Sequence, residues 1–196
     1  MRIVSLVSGG LDSALMTCLM KQEGFDVYPL FVNYGQKAGH QELAACTSVL
    51  HSMALRHPEV VDLSGYGKLL PSGLTSEEKD VFLDAFLPGR NLLFLLVAAA
   101  YAYQVQAAAV GIGLLDEASL LFPDQSSQFL EQAEAMLKLT LGYDIRVLAP
   151  LRKFSKRDVI RLARQYELHG TYSCHVGTEI PCGHCISCRE FQVEEV

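Results

Sequence analysis

Positive charge is sparse in this sequence. Lysine and arginine number 16 against 22 aspartates and glutamates, a formal net charge of −6, and they form no dense run. A chain without clustered cations is poorly suited to gripping a nucleic-acid backbone. No direct nucleic-acid partner is expected, and nucleic acid would enter only through a small base-like substrate. Long apolar runs are missing too. The longest, residues 92–103, is too short to cross a bilayer and reads as a buried helix, so no membrane partner is expected. The chain opens directly into a strand pattern, with no basic segment or small-residue cleavage site before it. That predicts no signal peptide and a cytoplasmic location. There is no internal repeat and no low-complexity tract.

What is present fits one globular domain: 196 residues, half of them hydrophobic and 19% charged. Short apolar runs at 2–7, 27–32, 59–63, 107–112 and 145–148 predict five strands. Helical spacing predicts helices at 11–21, 37–52, 91–104, 126–141 and 155–166, the last capped by Ser155. The Gly-, Ser-, Pro- and charge-rich stretch 65–86 reads as a long, mobile loop. Continuous apolar strands alternating with helices predict a Rossmann-like, doubly wound parallel five-stranded sheet covered on both faces. Its ligand should sit at the carboxyl ends of the strands.

Between the first strand and the first helix runs Ser8-Gly9-Gly10-Leu11-Asp12-Ser13. Two glycines allow a tight backbone turn close to an anion, and the helix start then offers free N–H groups and its positive dipole end. Ser8 and Ser13 add hydroxyls. Asp12 cannot bind phosphate directly, so its expected task is to hold Mg²⁺ or orient the loop. The Lys-Ser/Thr of a Walker A loop and the Gly-x-Gly-x-x-Gly of a dinucleotide site are both lacking here.

Six cysteines in a cytoplasmic chain argue against a disulfide framework. Cys18 and Cys46 fall in helical patterns and read as small core residues. Cys174, Cys182, Cys185 and Cys188 follow the spacing C-x7-C-x2-C-x2-C, in which short steps let thiolates converge on one ion and Gly183 supplies a tight turn. Zn²⁺ held by four sulfurs in a structural site is the preferred reading, with an iron–sulfur cluster as the rival. The ferredoxin run would carry a further cysteine soon after Cys188, and none occurs. His175 and His184, beside the ligands, read as solvent-facing neighbours.

Several motifs together resemble one family: SGGLDS (8–13), NYGQKAGHQE (33–42), LPSGLT (70–75), LPGRNLLFL (87–95), FPD (122–124), APLRKFSK (149–156) and YSCHVGTEIPCGHCISCR (172–189). SGGLDS is similar to the PP-loop of ATP pyrophosphatases, whose fold is adenine nucleotide alpha hydrolase-like. The whole set resembles the QueC family of 7-cyano-7-deazaguanine synthases. The resemblance implies a PP-loop unit at 1–170 and a zinc-binding segment at 171–196. It also implies a carbon–nitrogen ligase in which ATP adenylates 7-carboxy-7-deazaguanine and ammonia displaces AMP. A second ATP then converts the amide to the nitrile, a step in queuosine biosynthesis.

By the same resemblance, Ser8, Gly9, Gly10, Leu11, Asp12 and Ser13 hold the pyrophosphate part of ATP. Asp12, Ser13, Arg90 and Lys156 are candidate catalytic residues. Tyr34, Gln36, Arg90, Asn91 and Asp124 are candidate substrate contacts, and the four clustered cysteines are the zinc ligands. A homodimer is implied, and the mean hydropathy of +0.21 is compatible with one. The chain departs from the family where many members carry YPDCR: it reads FPDQS, with Gln125 and Ser126 in place of Cys and Arg. QueC-like proteins of antiphage or DNA-modification systems, acting on a different acid or acceptor, are the alternative. Adenylation followed by sulfur transfer ranks lower, because it calls for a catalytic cysteine and an RNA-binding surface. A non-catalytic nucleotide-binding module would have no need of the loop together with Arg90 and Lys156.

Overall fold

The structure is a computed structural model, and it describes residues 1–192; the last residues of the expected 171–196 segment lie outside the described residues. Five strands, β1 (Arg2–Leu6), β2 (Asp26–Asn33), β3 (Glu59–Asp62), β4 (Ala109–Gly111) and β5 (Arg146–Leu148), form one sheet in the order β3-β2-β1-β4-β5. Every pairing is parallel. The helices are α1 (Leu11–Gln22), α2 (Gly39–Ser52), α3 (Ser64–Leu69), α4 (Arg90–Gln104), α5 (Ser127–Leu141), α6 (Lys156–Gln165) and α7 (Ile186–Gln192). The doubly wound expectation holds, and sequence boundaries and structure differ by one or two residues at most ends, as fraying ends do.

Side-chain alternation divides the core into two layers. Val4 and Leu6 of β1, Leu30 and Val32 of β2, and Val110 of β4 pack with Leu95, Ala98 and Ala102 of α4 and Leu137 of α5. On the other face, Ile3, Val27 and Ala109 meet Leu15, Met16 and Met20 of α1 and Val159 and Ile160 of α6. The alanines of α4 let that helix lie close to the sheet. Gly111 does the same for α1, since a Cβ there would overlap the Met20 side chain. A fully buried hydroxyl pair, Ser5 Oγ and Thr17 Oγ1 at 2.8 Å, fixes α1 against β1, and Thr17 also donates to the Ser13 carbonyl at 2.7 Å. The loop above α1 is thereby tied to the rigid centre of the sheet.

Two segments differ from expectation. Residues 65–86 are packed rather than a free loop. They carry most of α3, and Leu74, Val81 and Ala85 are buried. Local side-chain bonds replace regular structure there, as where the Asp80 carboxylate accepts from the Phe82 and Leu83 N–H groups at 2.8 and 2.7 Å. The second is α7, a short helix between and beyond the last cysteines that their spacing did not announce. Ser155, by contrast, caps α6 as expected, in a reciprocal arrangement with Asp158. Ser155→Ala is expected to cost about 1 kcal/mol of stability, measured as a lowered denaturant midpoint at unchanged slope.

Candidate active site

The strand order reverses between β1 and β4, so the connections leaving their carboxyl ends diverge and open a crevice. A cavity of about 290 Å³ lies there. Its floor is the Ser8–Ser13 loop. Gly9 has φ +82°, and a Cβ at that position would overlap the Glu42 carbonyl oxygen of α2, so only glycine fits. Ser8 and Ser13 brace the turn: their hydroxyls lie 3.1 Å apart, and Ser13 donates to the Gly10 carbonyl at 3.0 Å. Leu11 is a core residue by its side chain. Gly10 stands at the N-cap of α1, and no side chain caps that helix. The N–H groups of its first turn therefore face the cavity with the positive dipole end behind them, a setting suited to an anion.

Lys156 is the first residue of α6, where a cation opposes the helix dipole. It is held there by two carboxylates. Its Nζ donates to both Asp12 oxygens at 2.9 and 3.0 Å and lies 3.0 Å from Glu190 of α7. Burial acts to lower the Lys156 pKa, but the two carboxylates outweigh it and raise the value, so the ammonium is fixed across the neutral range. Asp12 is thus engaged by a lysine from the neighbouring helix α6, which suits loop orientation better than sole custody of Mg²⁺. A lysine kept against local helix electrostatics is the sort of conflict that marks a functional position.

Arg90, first in α4, lines the opposite wall with its guanidinium carbon 5.7 Å from the Tyr34 ring centroid. Tyr34 is buried, and desolvation pushes its phenol up to about 12 despite Arg90. Gln36 lines the cavity too, yet its amide is spent on the turn after β2. It accepts from the Tyr34 N–H at 2.9 Å and donates to Glu42 at 2.9 Å. Asn91 and Asp124 hold each other. The Asp124 carboxylate accepts the Asn91 N–H at 3.2 Å, and Asn91 Nδ2 donates to the Asp124 carbonyl at 2.9 Å. Asn91 reaches the cavity wall, whereas Asp124 caps α4 from behind it. The structure therefore brings the loop, Lys156, Arg90, Tyr34, Gln36 and Asn91 around one space and sets Asp124 in support.

Sequence reasoning missed Glu42, Glu190 and His175 as cavity residues. Against expectation, His175 does not face solvent. It is half-buried, and burial, with Arg90, Lys156 and Lys37 nearby, pushes its imidazole down to about 4, so it is neutral at pH 7. His184 is exposed, as expected. In the FPDQS segment, Gln125 accepts the Leu121 and Phe122 N–H groups at 2.8 and 3.0 Å, and Ser126 caps α5. Both are consumed by local structure. Cys46 is buried beneath the loop, and Cys18 is half-buried.

The four clustered cysteines converge, with all their sulfurs within 4.8 Å of one another. Zn–S bonds of about 2.3 Å in a tetrahedron place sulfurs about 3.8 Å apart, and the Cys182–Cys188 pair stands at 3.9 Å. Backbone N–H groups of Cys182, Cys185 and Cys188 each point at the sulfur of a preceding ligand at 3.4 Å. Burial alone would raise the Cys174 thiol, but N–H donors from Cys182 and Val176 bring it down to about 6, while burial pushes Cys188 up to about 12. Four sulfurs this close can all be thiolates only with a cation among them, and their spacing fits a tetrahedral metal ion. The knot is joined to the cavity. Tyr172 N–H donates to the Gly9 carbonyl at 2.9 Å, and α7, which begins right after Cys185, delivers Glu190 to Lys156.

Comparison with known proteins agrees with this geometry. A family model described as queuosine biosynthesis protein QueC matches residues 2–192. The chain is 31% identical to the 7-cyano-7-deazaguanine synthase of Methanobrevibacter smithii over 217 residues, covering 100% of this chain and 95% of the relative. It is 33% identical to that of Acetivibrio thermocellus, covering 95% and 89%. Among solved structures it is similar to the U34-tRNA thiolase NcsA of Methanococcus maripaludis with its [4Fe-4S] cluster, at TM-score 0.57 and 16% identity over 98% of this chain and 63% of that one. It is also similar to the NMN synthetase of Francisella tularensis, at TM-score 0.57 and 17% identity over 92% and 65%. At such identities these structures speak for the shared α/β fold alone. No helix among the described residues is long and apolar enough to cross a membrane. With a family model spanning nearly its whole length and curated relatives matched from end to end, the chain belongs to the QueC family.

Proposed function

We propose that this protein is an ATP-dependent ligase of queuosine or related deazapurine synthesis, converting 7-carboxy-7-deazaguanine to 7-cyano-7-deazaguanine. The observation that carries the reading is the uncapped start of α1 with Lys156 bonded to its Asp12 beside one cavity, and Arg90 on the wall of that cavity. The substrate carboxylate attacks the α-phosphorus of ATP and pyrophosphate leaves. The N–H groups of Leu11 to Ser13 and the Lys156 ammonium stabilise the charge that gathers on the leaving oxygens. Arg90 offers a planar fork to a carboxylate or phosphate, and Asn91 and Tyr34 shape the wall beside it. Ammonia then forms the C–N bond and AMP departs. The amide oxygen is adenylated by a second ATP with release of pyrophosphate, and loss of AMP and of both amide protons leaves the nitrile.

Mg²⁺ accompanies ATP and supplies charge neutralisation on the phosphates. Asp12 is the carboxylate that the loop itself supplies. Zn²⁺ belongs to Cys174, Cys182, Cys185 and Cys188, where it supplies structure and ties α7 to the site. Residues 1–170 bind nucleotide and substrate, and the segment from 171 onward completes the wall. The protein works in the cytoplasm as a homodimer.

A second reading is favoured by the FPDQS segment. With Gln125 and Ser126 both engaged in local bonds, two side chains that many relatives hold near the pocket are replaced, which suits a QueC-like enzyme with a different acid. One experiment separates the readings: the protein is incubated with ATP, Mg²⁺, ammonium and 7-carboxy-7-deazaguanine, and AMP, pyrophosphate and product mass are followed. AMP together with the nitrile mass supports the first reading. ATP cleavage that this acid does not stimulate supports the second, and no ATP cleavage with any acid overturns both.

A further inference from the structure

Ammonia at neutral pH is almost wholly ammonium, a cation without a free lone pair. The cavity that should receive it is lined by Lys156 and Arg90. A cation enters such a space only where an uncommitted anion awaits it, and it attacks only after giving up a proton. Three carboxylates line the cavity: Asp12, Glu42 and Glu190. Asp12 and Glu190 are both committed to Lys156. Among the described residues, Glu42 has no ion-pair partner, and its one side-chain bond is accepted from the neutral amide of Gln36, at 2.9 Å.

The position of Glu42 is also fixed relative to the chemistry. Its main chain abuts Gly9 so closely that no Cβ fits between them, so the residue lies directly beside the phosphate loop. The carboxylate sits in the first turn of α2 and is half-buried at the cavity wall. We propose, resting on the ligase reading above, that Glu42 is the ammonium-binding group and the base that frees ammonia for attack on the acyl adenylate.

Glu42 takes one proton from ammonium. The nitrogen lone pair then forms the C–N bond while the C–O bond to AMP breaks, and AMP leaves with that electron pair. The surplus proton on nitrogen passes to the departing AMP, and Glu42 returns its own to water. Burial supports the role by pushing the Glu42 carboxyl above its ordinary range, against the opposing effects of the Gln36 bond and the Arg90 charge, which makes it a stronger base. The titratable groups facing it are Arg90 from α4, Tyr34 after β2, Tyr172 from the C-terminal segment and Cys46 on its own helix.

The test is Glu42→Gln, which keeps the side-chain length and the bond to Gln36. Three quantities are compared with the unsubstituted protein: acid-dependent exchange of pyrophosphate into ATP, amide formation against ammonium concentration, and hydroxamate formation from hydroxylamine. Hydroxylamine is largely unprotonated at pH 7 and needs no base to release its lone pair. Glu42→Gln is expected to retain pyrophosphate exchange and hydroxamate formation within about threefold. Amide formation should fall about 10²-fold or more, the ordinary scale of general base catalysis, with a raised KM for ammonium. Glu42→Asp should fall between the two.

Unchanged ammonium kinetics in Glu42→Gln overturn the assignment. So does parallel loss of exchange, hydroxamate and amide, which would make Glu42 a scaffold for Gly9. If the unsubstituted protein shows no acid-dependent exchange, the ligase reading itself fails and takes this inference with it.

Discussion

Lys156→Ala is expected to lower AMP formation by about two to three orders of magnitude, the scale on which removing one preorganised charge-stabilising donor acts. Its effect on thermal unfolding should be small. Lys156 is the only cation in ion-pair contact with Asp12 or Glu190 among the described residues. It needs no reorganisation to meet the leaving pyrophosphate, because both carboxylates already fix it. Stability suffers little because those carboxylates keep side-chain exposures of 29% and 34% and can be hydrated once the lysine is gone. Asp12→Ala should be comparably inactive, since it leaves Lys156 to swing toward Glu190 alone and frees the loop. The double substitution should cost little more than either single one, as expected of groups acting as a unit. Pyrophosphate release measured with all three variants checks this. Losses that multiply would show that the residues act separately, and full activity in Asp12→Ala would remove the loop carboxylate from the mechanism.

With zinc at the cysteine cluster as proposed, Cys185→Ser is expected to lose the metal, the C-terminal structure and most of the activity together. Apparent zinc-binding free energies of about 10–16 kcal/mol in zinc-finger peptides show how much order one such ion can hold, and little else holds this segment. Besides the cysteines, Val81 is the only buried apolar side chain of the cluster around them among the described residues. The main α/β core draws on neither the ligands nor Val81, so the sheet should survive. Limited proteolysis should cut after about residue 170 while far-UV helix and strand signals persist, and zinc content should fall in proportion. Activity should fall because Ile186, Ser187 and Glu190 are cavity wall and Lys156 loses one partner. A stable, zinc-free and fully active Cys185→Ser protein would contradict the structural assignment.

Much of this fold was legible in one dimension because its signals are local. Apolar runs, helical spacing and the glycine pair at 9 and 10 each report on their own neighbourhood, and together they dictate parallel strands and a loop at the first switch. The four cysteines were legible for the same reason, since their spacing alone brings three of them together. Ser155 announced its helix by a capping pattern contained within four residues.

Other features exist only where distant segments meet. Glu42 closes the motif at 33–42, but nothing in that stretch says what its carboxylate faces. It becomes a cavity carboxylate because α2 packs against Gly9. His175 looked like a surface neighbour of a ligand until the C-terminal segment folded over the loop and half-buried it beside two cations of the cavity. Gln36, Asp124 and Gln125 had the residue types of ligand contacts, yet backbone N–H groups reached them first. The sequence by itself determined the strand order's ingredients, the glycine loop before α1 and the cluster of four cysteines, because each is encoded by spacing along the chain. Which carboxylates are spent and which one is free was decided only by tertiary structure, because charge pairing depends on distances that packing alone sets.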